Sequence, residues 1–441
     1  MCAVSKLKRL PLVFVSVSLL SPAVGAFTLK DAWEAALKYS ADFSAARNER
    51  DADAEKKHQA RAQLLPQITA NGIYQTQPES LSSNTRSVGW NVQAQQVLFD
   101  KSRFSQYKQG KLAEEMADLR LAGNEGKLRM DVAKAYFNVL LNRDKLEAIR
   151  EEKAAYSQQY QRAQEMFKQG AATILDTKEA EAGFDAALAK EVDTYNQLIV
   201  ANNTLANLTG LDPARISPIK RNRMPVDLLA GTKEQDWQAL AEANNPDWAL
   251  QRKTLENAAE AVKEAKSGHW PTVTLSGGYQ DNHNTYNYGG GMGDMKYRSK
   301  GSTLTVQLSV PLFTGGHISS RIREAASREL QNRDLLTAAE RNTKLAVRQA
   351  YENTRGGRMQ TEAQQRLLES NQAKLEATRI GRQVGVRNNL EETQAQQAVA
   401  EAAQKLAEAR YAYAQAYLQL LQHAGVLDSE ERVNHMNSVL F

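Results

Sequence analysis

Few residues of this chain have the types and spacing needed for covalent or metal chemistry. The six histidines (His58, His269, His283, His317, His423 and His435) show no metal-ligand spacing and no His-Glu-x-x-His run. Gly289-Gly290-Gly291-Met292-Gly293-Asp294 looks like a phosphate loop, but no Gly-Lys-Ser/Thr follows it. It also lies between two strand-like segments rather than ahead of a helix, so residues 281–301 read as a flexible outward loop. There is no Gly-x-Ser-x-Gly elbow, and the one cysteine is Cys2. The carboxylate pairs Glu151 with Glu152 and Glu391 with Glu392 fall on highly charged helical faces, where solvation is expected. Neither a catalytic residue nor a cofactor nor a metal is expected, and the chain does not read as an enzyme.

The elements that hold these residues are more informative. Residues 1–26 have the form of a secretory signal: Lys6, Lys8 and Arg9, an apolar core over 10–20, then Val24-Gly25-Ala26. Cleavage there would start the mature chain at Phe27, remove Cys2 and lower the net charge from +5 to +2. Lys and Arg are interspersed with Asp and Glu, so the pI of about 9.0 does not indicate a nucleic-acid partner. Mean hydropathy is −0.56, and no later stretch has the ~18 apolar residues of a membrane helix. A membrane span in this chain would have to be a closed barrel of alternating strands.

The chain is an internal duplication. Tyr136, Asn138, Gly170, Leu175, Asp176, Leu205 and Gly210 recur at an offset of 215 as Tyr351, Asn353, Gly385, Leu390, Glu391, Leu420 and Gly425. Pro66, Gly72, Tyr74 and Gln75 recur at an offset of 205 as Pro271, Gly277, Tyr279 and Gln280. Val92, Gln93, Leu98 and Phe99 recur at 214 as Val306, Gln307, Leu312 and Phe313. A constant core with one loop of variable length is what a duplicated structural unit shows. The reading divides the chain into a signal (1–26), a first repeat (27–211), a linking equatorial element (212–234), a second repeat (235–426) and a C-terminal equatorial segment (427–441).

Each repeat begins with a helix (29–64 and 237–266) and continues with two short strands. Leu304, Val306, Leu308, Val310 and Leu312 alternate with Thr305, Gln307 and Ser309; Val88, Trp90, Val92 and Ala94 alternate with Gly89, Asn91 and Gln93. Period two gives one apolar and one polar face, which fits both a barrel wall and a soluble hairpin. Long rods follow, with few glycines and no proline: Lys101–Lys168 and 172–208, then 317–384 and 388–423. Some 68 residues at ~1.5 Å each make a rod of roughly 100 Å. Val132, Tyr136, Val139, Arg143 and Leu146 form a heptad-like seam, and Leu188, Val192, Tyr195 and Ile199 form another on the return helix. The rods by themselves fit a tube with a polar bore or a solid coiled-coil bundle.

In its tandem halves, two strands per half, Leu65-Pro66 strand entry, Ala135-Tyr136-Phe137-Asn138-Val139 run and turns at Gly170-Ala171-Ala172-Thr173-Ile174-Leu175-Asp176 and Gly385-Val386-Arg387-Asn388-Asn389-Leu390-Glu391, the chain resembles the TolC family of outer-membrane channel-tunnels. The resemblance implies a mixed α and β membrane protein. Its long coiled-coil barrel would join a four-stranded share of a twelve-stranded outer-membrane barrel in a homotrimer, with the tunnel reaching into the periplasm. It implies a passive exit duct working with a periplasmic adaptor (membrane fusion) protein and an inner-membrane ABC or proton-driven pump. Cargo would be an exported polypeptide by type I secretion, or small molecules in an efflux system. A periplasmic coiled-coil adaptor that spans no membrane is the reading of another class.

The resemblance also places a gate at the helix turns, with Gly170 and Gly385 at the tips. Asp176 and Arg387 stand where a link between neighbouring helix pairs forms, and Glu391 stands at a first acidic ring of the bore. Gln394 replaces a second acid, and Arg382 replaces an aromatic hydroxyl residue. Three copies of Glu391 around a bore would attract cations and raise each other's proton affinity.

Overall fold

The computed structural model describes residues 26–80, 83–218, 226–288, 293–429 and 432. The signal up to Gly25, residues 289–292 of the glycine loop and Phe441 lie outside the described residues.

The helix expected at the start of each repeat is two helices. α1 (Leu29–Tyr39) and α2 (Ala41–Ala62) meet at Ser40; α5 (Glu234–Asn244) and α6 (Pro246–Ser267) meet at Asn245. Ser40 and Asn245 are extended at ψ 120 and 119, and their side chains accept from Phe43 N and Trp248 N. The break therefore comes from a capping side chain that competes with helix continuation, helped in the second repeat by Pro246 at the first helical position. Both pairs of helices coincide at the offset of 205.

Four strands follow the same doubling: β1 (Gln67–Ser80), β2 (Ser83–Phe99), β3 (Thr272–Tyr288) and β4 (Asp294–Ser309). They form one antiparallel sheet in the order β1-β2-β3-β4. The strands are long rather than short, with 14 to 17 residues each. Most of the loop expected over 281–301 is paired strand, with Asn287 opposite Asp294 and His283 opposite Arg298. Backbone pairing carries the ladder through this polar stretch, with the register unbroken from Thr272 opposite Ser309 to Asn287 opposite Asp294.

Between β2 and β3 run the rods α3 (Lys101–Lys168) and α4 (Ile174–Thr209); after β4 run α7 (His317–Gln383) and α8 (Asn389–His423). Asp100 starts α3 by accepting from Ser102 N at 2.9 Å and Arg103 N at 3.4 Å. Val132, Tyr136, Val139 and Leu146 of the predicted seam are buried. The second predicted seam is not buried in the chain: Leu188, Val192, Tyr195 and Ile199 are exposed. α4 instead buries Ala180, Ala187, Thr194 and Ala201, a stripe of exact seven-residue spacing. Small residues let α3 and α4 approach closely and leave the larger apolar stripe facing away.

The main core lies midway along the rods, where Trp33, Tyr136, Phe137, Leu205, Trp237, Val347, Leu418 and Leu421 pack together. The linking element reaches this core. Phe27 forms a parallel bridge with Ile216, Ile216 and Leu229 are buried, and the Tyr413 hydroxyl accepts from Leu228 N at 3.0 Å and donates to Val226 O at 2.8 Å. The linker is therefore partly interior, because its few apolar residues bridge the two repeats. Burial pushes the Tyr413 phenol up to about 12.

Candidate functional site at the helix turns

Both rods of each repeat are reversed by the same local device. In the first, Gly170 N donates to Phe167 O at 3.0 Å and Ala171 N to Met166 O at 2.8 Å; in the second, Gly385 N donates to Arg382 O at 3.1 Å and Val386 N to Gly381 O at 2.8 Å. These are Schellman turns, and they need the positive φ that Gly170 (73°) and Gly385 (79°) supply. The return helices then start with matched capping boxes, Thr173 with Asp176 and Asn388 with Glu391.

Asp176 and Glu391 are thus structural acids at the first turn of α4 and α8. Asp176 Oδ2 accepts from Thr173 N and from the Thr173 hydroxyl, both at 2.8 Å. These bonds, the backbone one first, hold its carboxyl below the ordinary value. Glu391 Oε2 accepts from Asn388 N at 3.0 Å, and its Oε1 accepts from Arg387 Nη1 at 2.7 Å. The Asn388 backbone bond and then the Arg387 guanidinium lower its pKa. These contacts within one chain oppose the rise expected from a ring of three copies.

Within one chain Arg387 is engaged by Glu391, and Asp176 by Thr173; the structure does not bring Asp176 and Arg387 together. The Arg387 stem lies against Gly381, where a Cβ would come within 2.7 Å of Arg387 Cγ. Gly381 therefore lets Arg387 fold back along the end of α7. Gln394 is exposed on α8. Arg382 is half-buried and pairs with Glu392, which Arg379 Nε also approaches at 3.5 Å.

Glu392, expected on a solvated face, is therefore the acid on which two arginines of α7 converge. Glu152 departs from the same expectation: it is buried and faces Lys190 Nζ at 3.4 Å across the α3–α4 pair. Period and charge density locate a helix surface but do not show which acid of an adjacent pair turns inward. A residue missed by sequence reasoning joins the two hairpins: Gln159 Nε2 of α3 donates to Asn389 O at 3.3 Å and to the Thr393 hydroxyl. It lines a cleft of about 330 Å³ with Arg162, Arg379, Arg382, Glu392 and Gln396. A lone Gln in a Gln-rich helix carries no signal that would single it out.

The described residues contain no group of acids, histidines and cysteines able to hold a metal, and no helix long and apolar enough to cross a membrane. Two helical hairpins with locked turns, continuous with a two-faced four-stranded sheet, define the class of channel-tunnels. The profile of the outer membrane efflux protein family matches residues 32–211 and 237–426, and the chain belongs to that family.

The chain is 30% identical to the outer membrane protein TolC of Vibrio cholerae, over 98% of this chain and 99% of the relative. It is 28% identical to the proteases secretion protein PrtF of Dickeya chrysanthemi, over 96% and 94%. The solved Campylobacter jejuni CmeC outer membrane channel has the same fold, with a TM-score of 0.76, 16% identity and coverage of 99% and 98%. The chain is an outer-membrane channel protein of the TolC family, a family of channels rather than enzymes.

Proposed function

We propose that three copies of this chain form an outer-membrane exit duct that passes substrates outward from an inner-membrane ABC or proton-driven pump and a periplasmic adaptor. The sheet carries this reading. One face holds Gln93, Gln95, Thr274, Ser276, Thr303 and Thr305, and a hollow of about 260 Å³ opens on it. The other face exposes Ile68, Leu304, Val306 and Leu308 to 71%, 76%, 64% and 63%. Among the described residues, β1 and β4 are each paired on one side only. Lipid does not tolerate open strand edges, and water does not favour so large an apolar face, so closure with further copies and a lipid surround answer both. Three copies of a four-stranded sheet give twelve strands.

The duct has its gate at the tip, where Gly170 and Gly385 turn the hairpins and Arg382, Arg387 and Glu391 sit. Type I protein secretion is the cargo reading favoured by the likeness to a proteases secretion protein. Small-molecule efflux is the alternative, and a secretion assay set beside drug susceptibility in a deletion strain separates the two.

Planar-bilayer conductance tests the duct. Wild type should give small cation-preferring currents, Arg387→Ala larger ones, and Glu391→Ala a weaker cation preference. Absence of any channel would overturn the duct proposed here and leave family membership alone. Conductance that neither variant alters would keep the duct and remove these gate residues.

A further inference from the structure

The lipid-side face of the sheet changes character along the strands. Register places its residues in rows across β2, β3 and β4. Nearest the helices these are Phe99 with Val273 and Leu308, and Gln96 (its amide donating to Leu64 O at 2.8 Å) with Leu275 and Val306; next comes Ala94 with Gly277 and Leu304, then Val92 with Tyr279 and Ser302. Val310, Leu312 and Phe313, just past β4, are also exposed. This stretch matches in scale the ~25 Å apolar band that a barrel presents to lipid.

The next three rows, farther from the helices, are Trp90, Asp281 and Lys300; Val88, His283 and Arg298; Arg86, Thr285 and Lys296. Four cations thus fall in three adjoining rows, and all four are exposed. The acids of this face are Asp281 and, at the start of β4, Asp294. Asp281 is buried and fixes the Arg298 guanidinium through Nε–Oδ1 at 2.9 Å and Nη2–Oδ2 at 2.5 Å. His283 Nδ1 lies 3.8 Å from the same carboxylate. Among the described residues, Arg86, Lys296 and Lys300 form no ion pair; the Arg86 guanidinium lies 5.1 Å from the Tyr74 ring centre. At the same level the polar face offers uncharged groups: Ser87, Asn282, Asn284 and Ser299. The cations are therefore not a selectivity device of the bore.

We propose that Arg86, Lys296, Arg298 and Lys300 bind the phosphate groups of lipid headgroups around the helix-distal rim of the barrel. The proposal rests on the sheet being a membrane-spanning wall. A row of cations directly above an apolar band, with Trp90 of the first charged row and Tyr279 of the last apolar row in tilted ring contact at 5.4 Å where the two meet, sits at headgroup depth. There it meets phosphate rather than hydrocarbon or bulk water. Asp281 occupies the Nε–Nη2 edge of Arg298 and orients the guanidinium along the sheet, leaving its Nη1 side to meet a phosphate oxygen.

The test uses the full-length protein reconstituted into phosphatidylcholine vesicles with or without lipid A, a phosphomonoester lipid. Lipid A retained by the extracted protein is counted by native mass spectrometry. Each Lys or Arg near an anionic surface is worth roughly fivefold in affinity, and salt reduces it. The triple variant Arg86→Gln/Lys296→Gln/Lys300→Gln should therefore lose lipid A enrichment by about tenfold or more. Arg86→Lys/Lys296→Arg/Lys300→Arg should keep it, and all three proteins should insert equally into neutral vesicles. Equal retention by wild type and the Gln variant overturns the proposal and leaves the membrane span intact. Complete displacement of lipid A by millimolar inorganic phosphate overturns the lipid assignment in favour of a free-anion site. Failure of wild type to insert into either vesicle removes the membrane span and the proposal with it.

Discussion

Tyr136 shows how single residues hold the middle of the rods. It is fully buried, its ring meets Phe27 and Phe137 edge-on at 6.1 and 5.8 Å, and its hydroxyl lies 3.4 Å from both Phe27 O and Ser217 O. Burial raises its pKa. Tyr136→Phe removes only the long hydrogen bonds and should cost about 1 kcal/mol, whereas Tyr136→Ala opens a cavity and should cost about 4 kcal/mol. Chemical denaturation followed by far-ultraviolet circular dichroism checks both; equal losses would mean that the hydroxyl, not the ring, holds the joint. Tyr136 was legible as a seam residue because it recurs as Tyr351 and falls on a heptad. Its partner Phe27 was not, since nothing in the sequence says that the start of the mature chain bridges to Ile216. Gly170 and Gly385 are legible as turn residues, because each closes a long proline-free rod and the two recur at one offset. Glu152 and Glu392 were misjudged for the opposite reason: an acid among many acids announces nothing about which way it points.

At the scale of elements, spacing was read correctly but its partner was not. The four-three pattern on α4 selects Leu188, Val192, Tyr195 and Ile199, yet the surface that packs on α3 is the alanine and threonine stripe. A period finds an apolar stripe; helix length and residue size decide which neighbour it meets. The exposed stripe on a rod of 36 residues is suited to a helix of an adjacent protomer. Val192, which is 56% exposed, can then be changed to Glu without disturbing its own chain, and the expected effect is loss of the proposed trimer. Ala187→Leu, at a site 1% exposed, should instead strain the α3–α4 pair by about 1–3 kcal/mol. Unheated gel migration and mass photometry report the first effect, and thermal unfolding reports the second. If Val192→Glu leaves the oligomer intact, the stripe does not face a second copy. The strands follow the same course: alternation marks their apolar parts, while the polar composition of 281–301 carries no sign of the pairing that continues through it.

For the whole molecule, the proposed duct sets contacts inside each chain at the tip against repulsion between copies. Asn388 N and the Arg387 guanidinium bind the two oxygens of Glu391 at 3.0 and 2.7 Å and favour its charged form. In the proposed trimer, copies of Glu391 facing one another across the bore would favour the neutral form, but such repulsion is damped over about 8 Å at physiological salt. Direct charge-assisted bonds should outweigh screened repulsion. A carboxylate whose folded pKa is lowered stabilises the fold fully above its unfolded value, here the ordinary 4.5, and the gain is lost as pH falls through the folded value. Cation preference and low tip conductance should therefore persist down to pH 4.5 and fade below it. In Arg387→Ala, with one of the two contacts gone, the fading should move upward in pH. Reversal potentials recorded from pH 7 to pH 3.5 measure both midpoints. A wild-type preference already fading at pH 5–6 would show that the ring of copies governs Glu391. A midpoint unchanged in Arg387→Ala would show that the capping bond to Asn388 alone sets its charge.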